Sequence, residues 1–321
     1  MLGLTSGCNT KIVESTQTAS QTIKYTPVAI KNCDISITYK KPPQRAVTMT
    51  QSATEVMLAL GLEKHMVGTA YLDNPILREY QQAYSQIRVL ADKYPSHEVF
   101  LSVEPDFVFT TEESAFDKQT LNSRQDLLKL GINSYLLPIE CEKTELRPER
   151  VTMENLYQEI RDIGQIFGVT ERADKLITDL KNQLQQTQQK IGNITNKKRI
   201  FWYDSENPPV TVSSWGMPNH IIELAGGENI FKDIQKKEAW VTVNWEDVIA
   251  RQPDVIVLID ANWSSAEEKR KILKSNPAYS KLKAVQEDKF IILGFSYTMP
   301  GIRNIEGVKK LAQALYPERF R

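Results

Sequence analysis

Thr152-Met-Glu-Asn-Leu-Tyr-Gln-Glu-Ile-Arg-Asp-Ile-Gly-Gln-Ile-Phe-Gly168, followed directly by Val-Thr170-Glu-Arg-Ala-Asp-Lys-Leu-Ile-Thr-Asp-Leu-Lys-Asn-Gln-Leu-Gln-Gln-Thr-Gln-Gln-Lys-Ile-Gly192, stands near the middle of the chain and divides it. Leu156, Ile160, Ile163 and Phe167 recur at three- and four-residue steps until Gly168, which predicts one helix. Thr170, placed as an N-cap, opens a second, with Ala173, Leu176, Ile177, Leu180 and Leu184 on one stripe until Gly192. At roughly 1.5 Å per residue the second helix extends about 33 Å, a domain's width, and its surface turns polar all round towards its end. That pattern predicts a strut, with residues 151–192 linking an N-terminal lobe over 23–150 to a C-terminal lobe over 193–321.

A chain of 321 residues with 41% hydrophobic and 25% charged content is long enough for two cores. Lys+Arg 40 against Asp+Glu 40 argues against nucleic acid as a partner, because phosphate neutralisation needs a basic surplus. No apolar run approaches the roughly 20 residues of a membrane span. Leu4-Thr5-Ser6-Gly7-Cys8 resembles a bacterial lipoprotein box, with Cys8 the lipidated residue and residues 1–22 a signal remnant followed by a polar tether. Cys33 and Cys141 remain; an exported chain pairs such leftovers and a cytosolic one keeps two thiols, and spacing leaves both open.

On either side of the strut the same alphabet repeats. Ala46-Val-Thr-Met-Thr50 and Phe107-Val-Phe-Thr-Thr111 read as buried parallel-type strands, as do Arg199-Ile-Phe-Trp-Tyr203 and Val255-Ile-Val-Leu-Ile259, with helices between them. His97-Glu98 through Pro105-Asp106 to Phe109 matches Trp245-Glu246 through Pro253-Asp254 to Val257, with the same seven-residue step from glutamate to proline. The expected fold class is therefore α/β, two Rossmann-like lobes with central, mostly parallel sheets joined by a single long rigid helix.

Ligands of open α/β sheets lie beyond the carboxyl ends of the strands. The residues following each strand are Gln51, Ser52, Tyr71, Thr111 and Glu112 in the first lobe. In the second they are Trp202, Tyr203, Trp215, Met217, Asn262, Trp263 and Tyr297, with Arg303 after. Aromatic and methionine side chains with a few polar groups suit a large, partly apolar ligand. Alternation turns one of Trp202 and Tyr203 into the core, and Arg303 has two readings, a bidentate partner for a ligand carboxylate or a salt bridge capping the last helix. His65, His97 and His220 lack metal-ligand spacing, so no metal site is assigned and a receptor for a bare metal ion is the alternative reading. No phosphate loop, nucleophile elbow or His-Glu-x-x-His occurs, so no catalytic residue or cofactor is assigned and an α/β enzyme is the weaker alternative.

The ordered pattern Arg45-Ala-Val-Thr, Thr54-Glu55, Leu60-Gly-Leu62, Glu98…Pro105-Asp106, Leu130-Gly131-Ile132, the linking helix, Ala225-Gly-Gly227-Glu-Asn-Ile-Phe231, Trp245-Glu246…Pro253-Asp254 and Pro277…Ala284-Val285 resembles the class III substrate-binding proteins of bacterial ABC importers. That group captures ferric siderophores, haem and vitamin B12. The resemblance implies an extracytoplasmic, lipid-anchored monomer that holds a metal chelate or corrinoid between its lobes and delivers it to an ABC permease. It further implies that Glu98 and Glu246, one per lobe, engage permease arginines. On the exported reading Cys33 and Cys141 are expected to be joined once Cys8 is lipidated.

Overall fold

The apolar runs form two parallel sheets, each covered by the helices that alternate with its strands, which is why those runs lack the polar alternation of a half-exposed strand. The computed structural model describes residues 25–205 and 208–321; Cys8 and the expected tether lie outside the described residues. A hairpin of β1 (Val28–Asn32) and β2 (Ile35–Tyr39) comes first. The first lobe continues with β3 (Ala46–Met49), α1 (Gln51–Ala59), β4 (Met66–Ala70), α2 (Gln81–Tyr84), β5 (Val89–Ala91), α3 (His97–Leu101), β6 (Phe107–Thr110), α4 (Arg124–Lys129) and β7 (Asn133–Leu136). Its strands pair in the order β5-β4-β3-β6-β7, all parallel, so the winding reverses between β3 and β6.

After α5 (Met153–Ile166) and α6 (Thr170–Ile191) the second lobe contains β8 (Arg199–Tyr203), β9 (Val210–Val212), α7 (Met217–Leu224), β10 (Glu228–Asn229), β11 (Trp240–Thr242), α8 (Trp245–Arg251), β12 (Val255–Asp260), α9 (Ala266–Ser275), α10 (Lys283–Gln286), β13 (Phe290–Gly294) and α11 (Asn304–Leu315). Its parallel sheet has the order β10-β8-β12-β13 and reverses between β8 and β12, while β9 and β11 form a separate antiparallel ribbon. The fold class is thus α/β with two parallel sheets, as expected.

The internal sequence match has a structural cause. In the first lobe the Asp106 carboxylate accepts from the backbone N–H of Gln44 at 2.8 Å and of Arg45 at 2.9 Å, anchoring the amino end of β3. In the second, the Asp254 carboxylate accepts from Arg199 N–H at 2.8 Å and anchors β8 in the same way. Each Pro-Asp therefore ties an incoming strand to the central strand of the other half of its sheet. Upstream, Glu98 and Glu246 each sit in the first turn of a short helix, α3 and α8, and both are exposed.

The linking segment differs from two helices in series. Gly168 and Gly192 take positive φ values of 69° and 63°, as helix-ending glycines do, but α6 folds back along α5. A Cβ on Gly164 would lie 2.5 Å from that of Ala173, so only glycine permits this approach. Lys181 completes the antiparallel pairing, 3.2 Å from Glu154 and with its ammonium 4.7 Å from the Tyr157 ring centre. Val169, rather than Thr170, is the N-cap of α6, and Thr152 caps α5 in a capping box with Asn155. The far end of α6 then reaches the second lobe, where Lys190 lies over Phe320 and Thr187 and Ile191 are buried. One hydrophobic cluster runs through this hairpin from Ala46 and Phe107 of the first lobe to Trp202, Val257 and Leu311 of the second.

Cys33, in the β1–β2 turn at φ 56°, is bonded to Cys141 beyond β7, with Cα atoms 5.5 Å apart. The expected pairing is present, and it staples the hairpin to the edge of the first sheet.

Candidate functional site

Both sheets reverse their winding at a place where two neighbouring strands send their following loops apart, which leaves a crevice at the carboxyl edge. In the first lobe the crevice is edged by the residues after β3 and β6. Thr50, held at φ 100°, places its hydroxyl 2.8 Å from that of Thr111. Thr111 is fully buried, so it closes the floor while Glu112 stands above it. Tyr71, also at positive φ (58°), follows β4 and packs on Tyr94 with ring centres 4.6 Å apart. The Tyr94 hydroxyl donates to Glu112 at 2.9 Å.

Across from these, the second lobe presents an aromatic row. Phe295, directly after β13, lies between Trp263 (5.4 Å, edge-on) and Trp240 (6.1 Å, stacked). The Trp240 indole N–H donates to Asp204 at 3.0 Å. Trp263, in the turn after β12 beside exposed Asn262, keeps 50% of its surface open, unusual for so large an apolar side chain. Its indole reaches Asp73 of the first lobe closely enough to pull that carboxyl's pKa back down against the rise that burial imposes. That contact brings the carboxyl edges of the two sheets to one boundary, here called the cleft.

The electrostatics of the cleft are one-sided. Burial raises Glu112 above the ordinary carboxylate range, opposed by the Tyr94 hydrogen bond and reinforced by Asp73. Burial first, and then the Glu112 carboxylate, push Glu140, just past β7, up to about 7, with Arg147 acting in the opposite direction. Tyr94 is raised by burial and by Glu112 as well. Each group makes it harder for its neighbour to carry negative charge.

The thirteen side chains expected at the ligand separate into distinct places. Tyr71, Glu112, Asn262 and Trp263 lie at the cleft. Trp202 and Tyr203 are both fully buried, a correction to the expectation that one of them faces out: β8 is an interior strand with helices on both faces. Trp215 donates its indole N–H to Pro148 O at 2.9 Å, and with fully buried Met217 it packs where residues 147–151 cross to the second lobe. A groove of about 650 Å³ lined by Glu149, Arg150, Trp215 and Lys237 lies there, and another of about 560 Å³ surrounds Pro42, Phe167 and Gly168 at the amino edge of the first sheet. Neither concavity is at the strand ends that carry the aromatic walls.

Gln51, Ser52 and Arg303 form the seam beneath the cleft. The Arg303 guanidinium pairs with both carboxylate oxygens of Glu55 in α1, donates to Pro75 O at 2.7 Å and to Ser296 Oγ at 3.1 Å, and is 7% exposed. Gln51 accepts from Asn74 N–H at 2.9 Å, and Ser52 packs under Gly301. Arg303 thus meets a carboxylate of its own chain, the second of its two readings in kind but across the lobes. Tyr297 covers its flank, its ring centre 5.6 Å from the guanidinium carbon. The three histidines are dispersed: His65 on Pro43 O, His97 on Leu121 O and His220 beside Glu223. Among the described residues no group of three or more histidines, cysteines or carboxylates could hold a metal ion.

Residues 47–297 match the family model of the periplasmic binding proteins. The uncharacterized ABC transporter substrate-binding lipoprotein YvrC of Bacillus subtilis is 25% identical over 98% of this chain and 94% of its own length. A vitamin B12-binding protein of Vibrio parahaemolyticus is 23% identical over 75% of this chain and 82% of its own. Among solved structures, a periplasmic binding protein from Veillonella parvula is 31% identical, covers 91% of this chain and 99% of its own, and superposes with a TM-score of 0.82.

Proposed function

The chain belongs to the periplasmic binding protein family, and from that premise we propose that it is a lipid-anchored extracytoplasmic receptor that captures a metal chelate or corrinoid between its lobes and delivers it to an ABC permease. Its relatives are substrate-binding proteins, and it is a binding protein, not an enzyme. The observation that carries the ligand reading is a pair of aromatic clusters, Tyr71 with Tyr94 on one lobe and Trp263, Phe295 and Trp240 on the other, at a boundary that the Trp263–Asp73 contact crosses, aromatic surface suited to a large ligand with polar edges. The vitamin B12-binding relatives favour the corrinoid side of that class, and the lipoprotein relative favours attachment through Cys8.

Native mass spectrometry of the protein purified from its own host tests the reading by weighing the retained ligand. A metal chelate or corrinoid, lost on Trp263→Ala, is the expected result; a sugar, peptide or amino acid in the cleft would overturn it.

Permease docking is assigned to Glu98 and Glu246. A crossover helix runs antiparallel to its strands, so the first turns of α3 and α8 lie at the same carboxyl edges as the cleft, one charge on each lobe. Neither glutamate has an ion-pair partner among the described residues. Opposed charge patches set orientation and association rate more than fold stability. Glu98→Ala with Glu246→Ala is expected to leave ligand affinity unchanged and abolish ligand-dependent stimulation of the permease ATPase; normal stimulation would refute the assignment.

A further inference from the structure

The charge of the ligand can be read from which ionic groups at the lobe boundary already have partners. On the cation side, Arg303 is taken by Glu55. Arg147 donates to the carbonyls of Cys141 (2.8 Å) and Lys237 (3.1 Å), and Lys237 is paired with Glu149 at 2.6 Å. Lys269 is buried under the end of β12, its ammonium bonded to Ile259 O at 2.6 Å and Ser264 O at 2.8 Å. Every one of these cations is committed within the protein.

The carboxylates at the cleft are differently placed. Glu112 has hydroxyl neighbours, Tyr94 and Ser114, and Asp73 has the Trp263 indole. Glu140, its carboxyl raised to about 7, lies within electrostatic reach of Glu112, and Asp204 accepts from the Trp240 indole on the opposite wall. None of Asp73, Glu112 and Glu140 has a salt bridge among the described residues. Glu112, Asp204 and Asp73 accept from the hydroxyl and indole N–H edges of Tyr94, Trp240 and Trp263, and the aromatic faces beside them attract positive charge through their quadrupoles. An anionic chelate would meet the Asp73 and Glu112 carboxylates while the cations traced above are already held by groups of the protein, whereas a cationic one would supply the missing counter-charge.

We propose that the cleft selects a ligand of net positive charge, a cationic metal chelate or corrinoid, and rejects polyanionic chelates of the same size. The proposal rests on the receptor reading above and narrows its ligand class by charge. The residues that set the preference are Asp73 and Glu112, with Trp263 and Tyr71 supplying the aromatic faces.

Matched probes of opposite charge separate this from size or shape. Ferrioxamine B carries a pendant ammonium that N-succinylation turns into a carboxylate; diaquocobinamide is a cationic corrinoid, and cobyrinic acid presents the same macrocycle with free carboxylates. In tryptophan-quenching titrations the cationic member of a pair is expected to bind at least tenfold more tightly. The gap should narrow with added sodium chloride, and Asp73→Asn with Glu112→Gln should narrow it several-fold while circular dichroism stays unchanged. Equal or tighter binding of the anionic member would overturn the proposal. If neither pair binds, the chelate reading fails, and the charge preference is then read with the acridine cation proflavine against acridine-9-carboxylate. Proflavine quenching that the double variant loses supports the proposal; no discrimination between the dyes overturns it.

Discussion

The seam and the cleft both hold carboxylates at the lobe boundary, and they differ in one respect. In the seam, Glu55 has its cation built in: Arg303, 248 residues away in sequence, arrives from the start of α11 and fills both carboxylate oxygens. In the cleft, Asp73 and Glu112 receive only neutral donors, a Trp263 indole and a Tyr94 hydroxyl. A buried pair that completes itself is structure, whereas a carboxylate left to neutral donors beside open aromatic surface is positioned for something that comes from outside. The same residue chemistry therefore serves two purposes, according to whether the chain also brings the counter-charge.

The largest effect should come from breaking the seam. Arg303→Met leaves Glu55 buried without its cation and is expected to cost about 3–5 kcal/mol in urea unfolding, whereas Arg303→Met with Glu55→Leu should recover most of that loss. A single Arg303→Met variant as stable as the parent would remove the distinction between seam and cleft. Reduction of Cys33–Cys141, which closes a 108-residue separation, should cost about 2–4 kcal/mol by freeing the unfolded chain. That loss belongs to the first lobe's edge and should leave ligand charge preference unaltered.

A smaller effect concerns pH. Glu140 has a folded pKa of about 7 against an ordinary 4.5, so between those values the native state holds a proton that the unfolded chain has released. Its stabilising contribution is full below about pH 4.5 and is lost as pH rises through about 7. Stability is thus expected to decline between pH 5 and pH 8, and Glu140→Gln to flatten that slope; fully buried Glu159, raised well above its ordinary range by burial and by Asp162, acts in the same direction. Stability that rises over this interval in the parent would contradict the assignment. The smallest effect is at the cleft itself: Asp73→Asn with Glu112→Gln should leave the denaturation midpoint unchanged or slightly raised, because these carboxylates repel one another and anchor no element of the fold.

Periodicity made the strands, the helices and the two parallel sheets legible, because apolar spacing is set by what each element must bury. The Pro-Asp repeat was legible too, and its cause is a backbone anchor present in both lobes. The cleft was less so. The strand-end rule located Tyr71, Glu112 and Trp263, and it could have yielded Asp73 and Phe295, which follow β4 and β13. Tyr94 and Trp240 carry no such signal: Tyr94 lies in an irregular segment, and Trp240 opens β11, a strand of the antiparallel ribbon outside the main sheet. Arg303 was left with two readings for a related reason: nothing local in Pro300-Gly-Ile-Arg303 indicates a glutamate in α1. Trp202 and Tyr203 look like aromatic ligand residues until the helices on both faces of β8 are known.

The continuous core that passes through the α5–α6 hairpin has a practical consequence for anyone who would make this protein a sensor. Dyes placed on the two lobes would keep nearly the same separation with and without ligand, because one packed interior connects both sheets and the Glu55–Arg303 pair ties their rims. Distance-based energy transfer is the wrong readout for such a body. If the proposed chelate or corrinoid is the ligand, the useful signal is the light of Trp263 and Trp240, dimmed from within by a coloured guest.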